Sequence, residues 1–462
     1  MEPVTIGEIL QATEGRLLGS QIDLEQTVTK IDTDSRKIHE GSLFLPLSGE
    51  RFDGHIFLED ALKNGAIGAF TAKEREQYTE GKYYIHVKDT QKALRDLAKY
   101  YRQKFRIPFI AVTGSVGKTT TKDMIAAVLG AKYKVLKTEG NFNNELGLPL
   151  TLLRLNKSHQ CAVVEMGMSS EGEIAYLSEI VEPDVAVITN IGDAHIEHLG
   201  SRENILRAKA EIFDFMKPNA LAVLNGDDPL LRTLEKTLSF PIYWCGKGEN
   251  NQFIATDIRS DGEKSTFCHV KTPSVSWDVE IPALGEHMIY PVLMATAIAQ
   301  KFGLTKEEII QGIVDFSPTK MRMNILHWPN NITILDDAYN ANPQSMRAAI
   351  EVLMQAKGEY KIAVLGDMFE LGPLAPVLHQ GIGEYLGKKG VNCLVAIGEM
   401  AKEIHTAALE AGISQSFYFP TKEEAISTLQ MLVGPCCTVL VKASRGMAFE
   451  EIVNQLKTLI EV

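Results

Sequence analysis

The residues of this chain best suited to chemistry stand together between Ile110 and Lys122, in the order I-A-V-T-G-S-V-G-K-T-T-T-K. Gly114 and Gly117 let the backbone of Gly114, Ser115, Val116 and Gly117 curl, so that its amides and the start of a following helix converge on an anion. Lys118 adds a point charge for outer phosphates. Thr119 places a hydroxyl where the magnesium of a nucleoside triphosphate is met, with Thr120 and Thr121 nearby. The glycine usual five residues before Gly117 is replaced by Val112, so this is a shortened phosphate loop.

Other candidates follow strand-like runs. Cys161 to Val164 ends in Glu165, a carboxylate beside the phosphate loop and the first candidate magnesium ligand. The next apolar run leads into T-N-I-G-D-A-H, which places Asn190 and His195 at the carboxyl edge of a sheet, where His195 could bind metal or phosphate. Between the loop and Glu165 lies G-N-F-N-N-E-L-G-L-P, whose Asn143 and Asn144 can donate to phosphate or carboxylate oxygens or simply make turns. A helix is expected over 205–215, carrying Arg207, Lys209 and Glu211, with a solvated face as the plain reading. Farther on, Arg322 approaches a strand, and D-D-A-Y-N-A-N-P, with Asp337 and Asn340, can bond a ribose or base, or cap a helix. The last cluster, K-A-S-R-G, offers Ser444 and Arg445 to a substrate carboxylate.

These groups need rigid elements behind them. Continuous apolar runs at 109–113, 161–165, 185–189 and 221–224 read as strands buried on both faces of a parallel sheet. The alternation restarts at 332–335, 362–365, 393–397 and 438–441, which predicts a second doubly wound sheet. Up to about Phe105 the pattern suits a small α/β domain with a turn-rich stretch at 32–54. Pro318 interrupts helical periodicity. The expected class is α/β with three domains, at 1–106, 107–317 and 318–462, and 462 residues suit about three cores.

Against 47 basic residues stand 59 acidic ones, a net charge of −12, which speaks against a nucleic-acid surface and leaves anionic substrates to local basic sites. No apolar run reaches the ~18 residues that span a bilayer, and the start lacks the pattern of a signal peptide, so a cytoplasmic protein is expected. The six cysteines show no metal spacing and read as buried or incidental thiols.

Taken in order, T-G-S-V-G-K-T-T-T-K, G-N-F-N-N-E-L-G-L-P, E-M-G, T-N-I-G-D-A-H, K-A-E-I-F, L-D-D-A-Y-N-A-N-P-Q-S-M, G-D-M-F-E-L-G and V-K-A-S-R-G-M closely resemble the Mur ligases, from about Asp32 to the C-terminus. The resemblance implies a UDP-sugar domain, a central P-loop ATPase domain, and a Rossmann-like domain that closes over ATP and an incoming dipeptide. The D-D-A-Y-N-A-N-P segment implies ATP-dependent addition of D-alanyl-D-alanine to UDP-N-acetylmuramoyl-tripeptide. A sibling adding the third residue, a folate polyglutamate synthetase and a non-catalytic nucleotide-binding subunit remain alternatives. By motif position, Lys118 would hold outer phosphates, Thr119 and Glu165 one magnesium, and His195 a second, while Lys209 would become a carbamate that binds magnesium. Arg322 would reach ATP, Asp337 the ribose, and Ser35 with Arg36 the uridine nucleotide. Small-molecule partners and a monomer are expected. The family's Gly-x-His-Asn-x-x-Asn, whose asparagines help hold adenine, reads Gly285-Glu286-His287-Met288-Ile289-Tyr290-Pro291 here, so the adenine contacts must differ.

Overall fold

The computed structural model describes residues 1–49, 52–74 and 77–460; among them three larger sheets, each drawn from one uninterrupted stretch of chain, organise the molecule beside two short two-stranded pairs. Glu50 and Arg51, inside the turn-rich stretch 32–54, lie outside the described residues.

The middle sheet sets the site. Its central strand, Phe109–Thr113, is flanked in parallel by Cys161–Glu165 on one side and Val185–Ile188 on the other. Those two neighbours, both later in sequence, sit on opposite sides of Phe109–Thr113, so the order of strands reverses across it and leaves a crevice at its carboxyl end. All five residues of Phe109–Thr113 and all five of Cys161–Glu165 are buried, as the unbroken apolar runs require. Each fully buried valine or isoleucine there contributes about 1.5–3 kcal/mol. Helix Lys118–Gly130 packs on one face of this sheet and is covered in turn by Ile289–Lys301.

The sheet has nine strands and is not wholly parallel. Phe253–Ser260 continues it in parallel beside Ile242–Gly246, and Thr266–Lys271 and Ser276–Ile281 extend it antiparallel. In Ser276–Ile281, Trp277, Val279 and Ile281 alternate inward, a half-buried strand by its period of two.

The third sheet runs Asn324–Trp328, Ile332–Asp336, Cys437–Lys442, Tyr360–Gly366, Cys393–Ile397, Gln415–Phe419, all parallel except the antiparallel first strand. The first sheet has five short strands, and its following helix, Thr90–Gln103, docks on the middle region through Tyr101 OH to Leu155 O (2.6 Å), Arg102 Nη2 to Glu182 O (3.0 Å) and Lys99 Nζ to Glu179 Oε1 (2.8 Å). The expected helix over 205–215 is shorter: Arg202–Ala210 followed by the 3₁₀ turn Glu211–Phe213, where the Glu211 carboxylate turns away to accept from Gly172 and Ala175 N–H. Five of the six cysteines are buried and all six are free thiols; burial pushes the Cys161 thiol up to about 12. Among the described residues no helix is long and apolar enough to cross a membrane.

The first helix, Ile6–Thr13, is held to Thr90–Gln103 by Glu8, which accepts from Thr5 N–H (2.8 Å), Tyr100 OH (2.7 Å) and Lys104 Nζ (2.5 Å). Partial burial opposes ionisation of Glu8, but these donors outweigh it and hold the carboxyl at about 2, against an unfolded 4.5. Because the folded value is depressed, the stabilisation is present above pH 4.5 and is lost as pH falls toward 2. Glu8→Gln should therefore destabilise the protein near neutral pH, by less than about 1 kcal/mol after allowance for solvent. Urea titrations at pH 7 and in acid check this; an equal difference at both would contradict it.

Candidate active site

The phosphate loop is braced from the neighbouring strand end. Gly114 (φ 147°) lies so close to Thr189 that a Cβ would stand 1.9 Å from its Oγ1, which leaves glycine alone at this position. Asn190 accepts from Val116 N–H through its Oδ1 (3.0 Å) and donates through Nδ2 to Val116 O (2.9 Å), while its carbonyl takes Ser115 N–H (3.0 Å). Gly117 turns into the helix in the left-handed region (φ 82°) without a side-chain cap, so the first amides of Lys118–Gly130 are free to meet an anion. Lys118 Nζ rests on Gly114 O at 2.9 Å. Its neighbours crowd it out of water and hold its pKa below the usual lysine range, with the charge of Glu165 opposing that shift.

Lys118 is the electrostatic centre: Glu165, Arg322 and Glu370 all act on it, and it acts on Lys209. Glu165 is buried; its Oε1 accepts from Asn143 Nδ2 at 2.8 Å, and its Oε2 is buried with no partner. Lys209 is 1 % exposed, far from a solvated face. Burial, reinforced by Lys118, drives its pKa well below 10.5, and among the described residues no carboxylate pairs with it. His195 adopts a left-handed conformation (φ 63°), and its Nδ1 stands 2.6 Å from Glu370 Oε2. Glu370, itself at φ 62°, comes from the third region, so this contact crosses between regions.

The two regions enclose one cavity. Its floor is the loop from Ser115 to Thr120; Arg322, Asp337, Asn340 and Lys442 reach it from the third region; Ala283, Leu284, Met288 and Phe316 give it an apolar end. Asp337 accepts from Lys442 Nζ (Oδ2, 2.5 Å) and Met323 N–H (Oδ1, 3.1 Å), and Arg322 lies over the Tyr339 ring at 4.0 Å.

Sequence comparison reads the same regions. A family model described as "Mur ligase family, catalytic domain" matches residues 27–102, "Mur ligase middle domain" matches 112–299, and "Mur ligase, glutamate ligase domain" matches 321–445. The chain belongs to the Mur ligase family. It is similar to the UDP-N-acetylmuramoyl-tripeptide–D-alanyl-D-alanine ligase of Bacillus subtilis, 39 % identical across 98 % of each chain. A crystal structure of MurF from Acinetobacter baumannii superposes with a TM-score of 0.91 at 36 % identity over the whole of both chains. MurF ligase from Thermotoga maritima in complex with ADP gives 0.83 at 30 % identity, covering 94 % of this chain and 98 % of that one.

Within this Mur ligase framework, the expected positions divide. Ser115 to Thr120, Arg322, Asp337 and Asn340 meet around the cavity, with Gly114 outside its lining and accepting from Lys118 Nζ; Glu165 and Lys209 lie in the electrostatic neighbourhood of Lys118, and His195 is linked to it through Glu370. Other expected residues are spent elsewhere. Asn144 Oδ1 accepts from Gly147 N–H (2.9 Å) and closes its own turn, away from the cavity lining. Asn143 holds Glu165. Ser444 is buried, takes Phe369 N–H at 2.8 Å and so fixes the segment that carries Glu370 instead of presenting a hydroxyl. Arg445 pairs with Glu450 (2.9 Å), and Arg36 folds back on Asp34 (2.9 Å) beside Ser35 in an exposed 3₁₀ turn. Among the described residues no three His, Cys, Asp or Glu side chains converge on one point. Glu370 and Lys442 were the residues without an assigned role: G-D-M-F-E-L-G marks the first, but only the docking of two regions brings it to His195.

Proposed function

We propose that the protein ligates D-alanyl-D-alanine to UDP-N-acetylmuramoyl-tripeptide with ATP, giving UDP-N-acetylmuramoyl-pentapeptide for peptidoglycan synthesis. The 39 % identity over nearly all of both chains to a ligase of that name carries the reading. A carboxylate does not expel oxide, so the γ-phosphoryl group is first transferred to it; the dipeptide amine then attacks the acyl phosphate, and inorganic phosphate leaves. Lys118 and the amides at the start of its helix hold the transferred group, Arg322 covers the triphosphate from the third region, and Asp337 and Asn340 face the ribose. Most of this is positioning and charge compensation.

Magnesium fits the residues present. Glu165 offers a buried, unpartnered Oε2, Thr119 a hydroxyl on the loop, and Lys209 an amine whose burial disfavours the ammonium and so favours uptake of carbon dioxide as a carbamate. His195, steadied by Glu370, stands for a second site. Bound there, magnesium supplies positive charge against the repulsion between carboxylate and triphosphate. The first domain, residues 1–106, would hold the uridine nucleotide near Ser35 and Arg36; residues 107–317 would hold ATP; residues 318–462 would close on ATP and dipeptide. The reading includes a monomer at work in the cytoplasm.

Purified protein with magnesium, ATP, D-alanyl-D-alanine and the tripeptide in its lysine and diaminopimelate forms, followed by phosphate release and product mass, tests it. Dipeptide-dependent phosphate release with a pentapeptide product is expected. Greater turnover with a free diamino acid or folate would reassign the substrate, and nucleotide binding without product in every pairing would end the reading.

A further inference from the structure

We infer that Asp123 and Thr319 position Arg322, by tying the crossover between the middle and third regions to the helix that begins at the phosphate loop. The crossover turns sharply at 319–322, closed by Arg322 N–H to Thr319 O at 3.2 Å. Met321 (φ 59°) and Met323 (φ 55°), on either side of Arg322, are both left-handed, a conformation unfavourable for a non-glycine residue that persists only when the surroundings hold it.

The holding comes from two sides. On the third region, Tyr339 N–H donates to Met321 O (3.2 Å), Met323 N–H donates to Asp337 Oδ1 (3.1 Å), and the Tyr339 ring lies 4.0 Å under the Arg322 guanidinium. On the middle region the tie is Thr319 Oγ1 donating to Asp123 Oδ2 at 2.5 Å. Asp123 is built for this task. Its Oδ1 is taken by Lys137 Nζ (2.7 Å) and Lys122 Nζ (3.1 Å), so Oδ2 faces the crossover. Lys122 is itself buried and anchored to Thr138 O (2.8 Å), whose side chain receives Glu165 N–H at 3.0 Å. Burial works against the Asp123 charge, but the two lysines prevail and keep it ionised. The bond to Thr319 is therefore charge-assisted and short.

Asp123 lies five residues beyond Lys118 on one helix, about 7.5 Å along its axis. The turn is thus registered to the loop that carries the phosphates, and Arg322 arrives within electrostatic reach of both Lys118 and Lys442. Asp123 and Thr319 are not among the residues lining the cavity; they act through Arg322. The inference rests on the proposed contact of Arg322 with ATP.

The test is a cycle of Thr319→Val, Thr319→Ser and Arg322→Ala, read as kcat/KM for ATP with both other substrates saturating. Thr319→Val is expected to lower it about tenfold, the scale of one charge-assisted hydrogen bond that fixes a reacting geometry. Thr319→Ser should restore it to within about twofold, and in the Arg322→Ala background Thr319→Val should change nothing further. The same loss in both backgrounds, or a lowered melting temperature with kcat/KM unchanged, would make the tie merely structural and overturn the inference. Arg322→Ala with parental kinetics would instead remove the contact of Arg322 with ATP on which the inference stands.

Discussion

Lys118→Ala should lower kcat/KM by about 10³-fold and at the same time raise the melting temperature. The loss follows from geometry: the ammonium is poised over the loop with one neutral partner, Gly114 O at 2.9 Å, and is therefore free to meet phosphate charge that develops during transfer. The gain follows from the same fact. Without nucleotide, that cation is held among protein groups with little compensation, and its pKa is held below 10.5. The sign can be worked through. A lysine depressed on folding binds fewer protons folded than unfolded, so its penalty is complete at low pH and fades as pH rises toward 10.5. The variant lacks the penalty, so its advantage should be largest below the folded pKa and shrink as the solution is made alkaline. Melts of both proteins from pH 7 to pH 10, without nucleotide, measure the gap. A variant less stable than the parent at pH 7, or an activity loss below tenfold, would contradict this account.

Lys209 should prove equally intolerant, for a different reason. Its side chain is buried, the cation of Lys118 acts on it, and among the described residues it has no ion-pair partner, so burial first and Lys118 second drive its pKa well below the usual lysine range and favour the uncharged amine. An uncharged amine adds carbon dioxide and releases a proton, and the resulting carbamate sets a negative charge beside the Lys118 cation. Arginine stays protonated in proteins and cannot follow this route. Lys209→Arg and the neutral, similarly shaped Lys209→Met should each reduce turnover by about 10²-fold or more. Carbon-13 NMR of the parent in labelled bicarbonate should show a carbamate resonance that both variants lack. An active parent without that resonance would leave Lys209 as a buried amine with no part in metal binding.

Local physics made the loop and the strands readable. Gly114, Gly117, Lys118 and Thr119 act through backbone curl and adjacent charges, which spacing alone conveys, and strands such as Cys161–Glu165 announce themselves because both faces are buried. Residues whose role depends on distant chain were opaque. Arg202–Ala210 carries Arg207 outward and Lys209 inward, and no pattern within nine residues tells which of the two cations the fold will bury. Ser444 looked available because a hydroxyl after a strand often is; the approach of Phe369 N–H consumes it. Asn144 takes the turn reading of its stretch, with its partner Gly147 three residues away. The antiparallel extension through Ser276–Ile281 was legible by its alternation, which a search for unbroken apolar runs passes over.

The contiguity of the three sheets bears on how the protein is made. Each sheet uses only its own stretch of chain, so each can condense as it leaves the ribosome, in order from the N-terminus. The nucleotide cavity cannot: Lys442, which partners Asp337 there, is translated only near the end. A nascent chain therefore carries a folded phosphate loop long before it can enclose a nucleotide, and termination between Lys301 and Cys437 leaves a complete middle sheet with an open, unproductive site.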